Sequence, residues 1–224
     1  MRHAWAEELT VAPSGAVDEF RRKIARNDYP IMALWEMGIR GLRIPIQDLE
    51  NDKTRRRMQI MTEVGHNFHV YVYDIPTGEQ ISLIKENAHL LSQLEIVISW
   101  DKIQDYTKVL EELSNKTGLN IILSRVNRKD SAKTSGGKFN HLISHGFNLS
   151  EEEELSKFLL DNKGLISGVQ FTITRAECPW NAAHLVSNFA NKTECNPYLY
   201  VKSTEASPAE RFNDEISNTL RLSL

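Results

Sequence analysis

Cysteine is nearly absent. Cys178 and Cys195 are the only two in 224 residues, and no C-x-x-C occurs. That excludes a zinc knuckle and a thioredoxin-like redox motif. Both thiols are expected to be reduced, as in a cytosolic protein. A positive surplus is also missing: 27 Lys and Arg stand against 30 Asp and Glu, for a net charge of −3. General nucleic-acid binders need excess cations to neutralise phosphates, so that class is excluded and only a local basic patch remains open. The opening Met1-Arg2-His3-Ala4-Trp5-Ala6-Glu7-Glu8 has no apolar h-region, so no secretion signal is expected. No apolar run approaches the roughly 20 residues of a membrane span. A cytoplasmic protein without a membrane partner is the expectation. The N-x-S/T triplets at Asn115, Asn148 and Asn191 then read as chance. No H-E-x-x-H, G-x-S-x-G, Walker or dinucleotide glycine pattern occurs, so no motif fixes a reaction and the cofactor is left unknown.

What the chain does have is alternation. Short β-rich apolar runs recur at Leu42–Ile46, Phe68–Tyr73, Leu94–Ser99, Asn120–Arg125, His141–Phe147, Val169–Thr174 and Tyr198–Lys202. Several are apolar on nearly every residue, as in Leu94-Glu95-Ile96-Val97-Ile98. Such strands belong to parallel sheets covered on both faces. Between them lie segments of helical period: Asp52–Val64 with Met58, Met61 and Val64 on one face, Glu79–Leu91, Asp105–Leu113, Ser150–Leu160, Trp180–Phe189 and Pro208–Leu222. Ser150-Glu151-Glu152-Glu153 reads as a capping box. The stretch Val17–Gly38 reads as two helices interrupted at Pro30. Gly38, Gly65, Gly118 and Gly168 mark the passages from helix to strand.

The repeated unit predicts an α/β fold, a (β/α)8-type barrel with seven clear parallel strands, incomplete at its N-terminus because Leu9-Thr10-Val11 is too weak for an eighth. An open doubly wound sheet is the alternative. Residues 1–16 are expected to form an arm or the tail of a preceding element, and 17–224 the barrel domain.

Strands of a parallel sheet place their C-terminal ends on one rim, which is where such folds hold their sites. The polar residues there are Asp48, Asp74, Asp101, Arg125, Asn127, His145, Arg175, Glu177 and Lys202. His145 is the leading general acid or base, since imidazole titrates near neutrality; the plain alternative is a histidine hydrogen-bonded at a strand end. Glu177 and Asp74 are the accompanying catalytic carboxylates. Asp74 with Asp101 could also hold a magnesium ion, although Asp101 serves equally as a helix cap. Arg125, Arg128, Arg175 and Lys202 are the anion-binding group. Arg175 lies just ahead of a helix N-terminus, where backbone N–H groups favour an anion. The polar stretch 127–138 reads as a lid or binding loop. His66 and His69 sit close in sequence, but His66 precedes its strand, and no metal site is expected.

The run Gly38-Ile39-Arg40-Gly41-Leu42-Arg43-Ile44-Pro45-Ile46, with the strand–helix succession after it, resembles the (β/α)-barrel superfamily in general over residues 30–224. The resemblance implies a fold and carries over no catalytic residue. Trp5-Ala6-Glu7-Glu8-Leu9-Thr10-Val11-Ala12-Pro13-Ser14-Gly15 resembles the tail of a preceding domain such as a calcineurin-like metallophosphoesterase, which implies a companion module lacking that family's metal motifs.

Two functional readings follow. In one, the chain is an enzyme using general acid–base chemistry on a small anionic molecule, phosphorylated ones included, of lyase or hydrolase type. In the other it is a non-catalytic barrel module, or a fragment of a larger multidomain enzyme, whose partner is a second copy or another domain.

Overall fold

The computed structural model describes residues 28–99, 103–125, 145–174 and 177–202. Its elements are α1 (Asp28–Glu36), β1 (Gly41–Pro45), α2 (Gln47–Glu50), α3 (Asp52–Glu63), β2 (Asn67–Tyr73), α4 (Gly78–Glu86), β3 (Leu91–Ile98), α5 (Ile103–Thr117), β4 (Asn120–Arg125), α6 (Glu152–Asp161), β5 (Gly168–Thr174), α7 (Pro179–Thr193) and β6 (Asn196–Lys202). Single 3-10 turns cover Ala88–Leu90 and Leu149–Glu151. The chain is therefore α/β, and its strands run in the sheet order β1-β2-β3-β4-β5-β6.

Local chemistry sets the element ends. Asn51 starts α3 by accepting from Lys53 N–H and Thr54 N–H at 3.0 and 3.1 Å. Thr77 and Gln80 close a reciprocal capping box on α4. Pro30 falls in the first turn of α1, where its missing N–H costs nothing. The residues ahead of Asp28 lie outside the described ones, so the two-helix expectation for Val17–Gly38 stands untested there.

Residue contacts divide the described chain into two compact units. The first comprises the described residues up to Tyr71 together with Thr77–Gln93. In it β1 and the start of β2 pair in parallel, Leu42 opposite Phe68 and Ile44 opposite Val70. All four are buried and form one face with Met58 and Met61 of α3 in the core. Val64, expected on that stripe, is half exposed, because α3 ends before it. On the other face Arg43 pairs with His69, and its guanidinium lies 4.5 Å over the Tyr71 ring.

The second unit comprises Val72–Pro76 and the described residues from Leu94 on. Here β5 and β6 pair in parallel along their whole length, Gly168 opposite Asn196 through Thr174 opposite Lys202. Phe171 meets Phe189 of α7 edge to face at 4.9 Å, so Val169, Phe171 and Ile173 form the side toward that helix. Pairing between β4 and β5 is short, limited to Ile122 with Gly168 and Leu123 with Val169. Gly168 is needed for clearance: a Cβ there would stand 2.6 Å from both Ile122 Cδ1 and Tyr198 Cε2. Its expected place as the turn glycine after a helix is taken by Gly164, at φ 80°.

Among the described residues six strands form where seven were expected, and a complete barrel of eight is not seen. The departure is His141–Phe147. Residues 141–144 lie outside the described ones, and His145–Phe147 makes no named strand but isolated bridging, including the parallel bridge of Phe147 with Phe171. The expected capping box also shifts: Asn148 N–H donates to the Glu151 carboxylate at 2.8 Å, and Ser150 falls inside the turn. The helix expected over Pro208–Leu222 and the arm over 1–16 lie outside the described residues.

Candidate functional site

The short β4–β5 pairing has a cause. His145-Gly146-Phe147 enters between the two strands at their C-terminal ends and takes over their hydrogen bonds. Gly146 N–H donates to Arg125 C=O at 2.8 Å, Phe147 N–H to Gln170 C=O at 2.8 Å, and Thr172 N–H to Phe147 C=O at 2.9 Å. Gly146 adopts φ 132°, and a Cβ on it would lie 2.9 Å from Thr172 Cβ and 3.0 Å from the β5 backbone. Only glycine fits that wedge. Phe147 seals it, being almost fully buried.

Held there, His145 directs its ring inward. Nδ1 lies 3.1 Å from Glu95 Oε1 on β3, and the ring sits 5.6 Å from that of Tyr73, tilted by 49°. Glu95 is 0% exposed and His145 is 4% exposed. A charge buried this deeply persists only when paired. A carboxylate on one ring nitrogen fixes the orientation of an imidazole and leaves the other nitrogen to exchange a proton. Ser124, the next-to-last residue of β4, is also fully buried, and its hydroxyl has no hydrogen-bond partner among the described residues.

The other predicted residues fall as follows. Arg125, 5% exposed, ends β4 and is ion-paired with Glu151 at the head of α6. Its guanidinium and the His145 ring therefore serve different partners, although Arg125 C=O holds Gly146. Asp74 follows β2 in the left-handed region at φ 61°, donates its N–H to Val97 C=O at 2.9 Å, and accepts from Ile75 N–H at 2.9 Å. Glu177, exposed ahead of α7, accepts from Thr174 N–H at 2.8 Å and Thr174 Oγ1 at 3.2 Å. Lys202 closes β6 opposite Thr174. Arg128, Arg175, Asp101 and Asn127 lie outside the described residues, as does the 127–138 stretch.

Sequence reasoning missed Glu95 by folding it into an apolar run. The available signal was a lone ionisable residue among strand neighbours that are all buried. Such a residue is almost never enclosed without a partner elsewhere in the chain.

Among the described residues no three of His, Cys, Asp and Glu come together as a metal site requires. Both cysteines are unpaired, Cys178 exposed and Cys195 buried, and burial pushes the Cys195 thiol up to about 12. No described helix is long and apolar enough to cross a membrane.

No family model and no curated protein matches the chain. Among solved structures it is similar to the N-terminal domain of an aldolase candidate from Bacteroides vulgatus, at 13% identity over 67% of this chain and 44% of that one, with a TM-score of 0.34. The chain thus spans under half the length of that protein. A likeness so distant carries no activity across. The segment 5–15, which resembles a metallophosphoesterase tail, lies outside the described residues.

Proposed function

We propose that the chain is an enzyme of the acid–base type, with His145 as the group that takes or delivers the proton and Glu95 as the residue that positions it. The observation that carries this reading is the buried contact between His145 Nδ1 and Glu95 Oε1 at 3.1 Å, built at the C-terminal ends of parallel strands. The substrate is a small anionic molecule. Arg128, Arg175 and Lys202 hold its anionic group, while Arg125, already engaged by Glu151, anchors the end of β4. Asp74 and Glu177 stand at the rim as the carboxylates that pass protons to solvent. Tyr73 and Phe147 shield the imidazole from bulk water, which strengthens every charge interaction inside.

The experiment is a turnover screen of the full chain against small carboxylates and phosphate esters, repeated with His145→Asn. Turnover should fall by about a hundredfold or more in the variant. Equal turnover in both proteins would remove the acid–base role.

A second reading has its own observation. The pair is so enclosed that it can also pin residues 145–147 to the sheet in a non-catalytic module. In that case His145→Asn lowers stability and the screen finds no turnover in either protein.

A further inference from the structure

We infer that β6 is the edge through which two copies of this chain join, antiparallel and about a twofold axis at Tyr200. The inference is independent of the acid–base reading above. The sheet order ends at β6, whose one sheet neighbour among the described residues is β5. Peptide groups alternate in direction along a strand, so one residue bonds the neighbour on one side and the next turns to the other side. Asn196 N–H donates to Ser167 C=O at 3.0 Å, which sets the phase. Tyr198 and Tyr200 keep it, since their carbonyls face β5, 3.4 Å from Gln170 Nε2 and Thr172 Oγ1. The far edge of β5 agrees: Gln170 C=O and Thr172 N–H are taken there by Phe147, which leaves the residues between them for β6. Leu199 and Val201 therefore turn N–H and C=O away from the sheet. No hydrogen bond reaches those groups among the described residues. An extended edge of this kind is a template for another strand.

The edge is complementary to itself. Pro197 has no N–H, so a pairing centred on Leu199 would leave the Val201 C=O without a donor. In a pairing centred on Tyr200, Leu199 faces Val201 of the second copy. The two exchange N–H and C=O, and the axis repeats the exchange on its other side. Every outward group of both residues is then satisfied. Tyr200, 39% exposed, meets its own counterpart where the backbones approach most closely and Cβ atoms stand about 5 Å apart. Two rings set side by side there bury apolar surface that one copy leaves in water. Lys202 is the one charged residue of β6, and this register sets it opposite Tyr198 and not opposite a second lysine. The twofold also closes the edge, so assembly stops at two copies. At the other end of the sheet order β1 is blunted by its own sequence: it is five residues long, carries Arg43 and ends in Pro45. A pair of short edges buries less than the roughly 1,200 Å² of a standard interface, so the association is weak, with a dissociation constant on the order of 100 μM.

Sedimentation equilibrium of the full chain, from about 1 μM to about 500 μM, tests this. The weight-average mass should climb from one copy toward two and no further. Tyr200→Glu sets like charges against each other across the axis, and Tyr200→Lys does the same, so each variant alone should associate at least about tenfold more weakly. An equimolar mixture of the two should associate at least as strongly as the parent, because in this register position 200 faces position 200. Val201→Pro removes an outward N–H and no bond to β5, so it too should weaken association by about tenfold or more. If Val201→Pro fails to fold, the Tyr200 variants decide alone. Trp180→Ala, exposed on α7, should associate as the parent does. A single-copy mass over the whole range, growth beyond two copies, or undiminished association of Tyr200→Glu overturns the inference. So does a mixture no stronger than its components, or a loss of association in Trp180→Ala.

Discussion

His145 Nδ1 lies 3.1 Å from Glu95 Oε1 although the two residues are 50 positions apart and β4 runs between their backbones. The histidine segment is bonded to the β5 side of β4, through Gly146 N–H and Arg125 C=O, while Glu95 belongs to β3 on the other side. The imidazole therefore reaches across the end of a strand to meet a carboxylate that nothing local supplies.

The pair should couple strongly. His145→Asn takes the imidazole away from the buried Glu95 carboxylate and is expected to cost about 3–5 kcal/mol of stability. Glu95→Gln with His145→Asn should cost clearly less than the sum of the single changes, by about 1–3 kcal/mol. Urea unfolding of the four proteins measures this, and strict additivity would show that the contact carries no energy.

Gly146→Ala and Gly164→Ala should differ although both glycines have positive φ. At Gly164 nothing lies within 4 Å of a new Cβ, so only backbone strain is added, about 1 kcal/mol. At Gly146 the Cβ also collides with Thr172 and the β5 backbone, so the loss should exceed about 3 kcal/mol. Equal midpoints in denaturant would contradict the wedge.

Arg125→Met should destabilise by about 3–5 kcal/mol because Glu151 is left with no cation. Arg125→Met with Glu151→Leu should recover part of that loss. A single variant of full stability would show that Arg125 is available to a ligand after all.

Much of the fold was legible because it is local. Strand runs such as Val169–Thr174 announce themselves through β-branched and aromatic residues, and Asp52–Glu63 through Met58 and Met61 three apart. His145 stood out by chemistry alone. Gly146 beside it is required because a Cβ there would meet Thr172 and the β5 backbone. Glu95 stayed hidden because its significance lies in a residue 50 positions away. Residues 145–147 look like a strand in sequence, and only the competition for the Arg125 and Gln170 carbonyls shows them to be a wedge.

The two thiols should part with pH. Cys178 should react with a disulfide reagent in the native protein, and Cys195 should not. The Cys195 thiol is pushed from 9.0 up to about 12 in the folded chain, so folding favours its protonated form. Its contribution to stability is complete below pH 9 and is lost as pH rises toward 12. A Cys195→Ala variant should therefore lose less stability than the parent across that window. Identical alkaline unfolding curves would contradict the assignment.

The most direct measurement is the pH profile of kcat/KM for any compound turned over, compared between the parent and Glu95→Gln. Glu95 positions the imidazole through its contact with Nδ1, so its removal should reduce kcat/KM across the profile. Superimposable profiles would contradict the account, since Glu95 would then have no hold on the proton-transferring group.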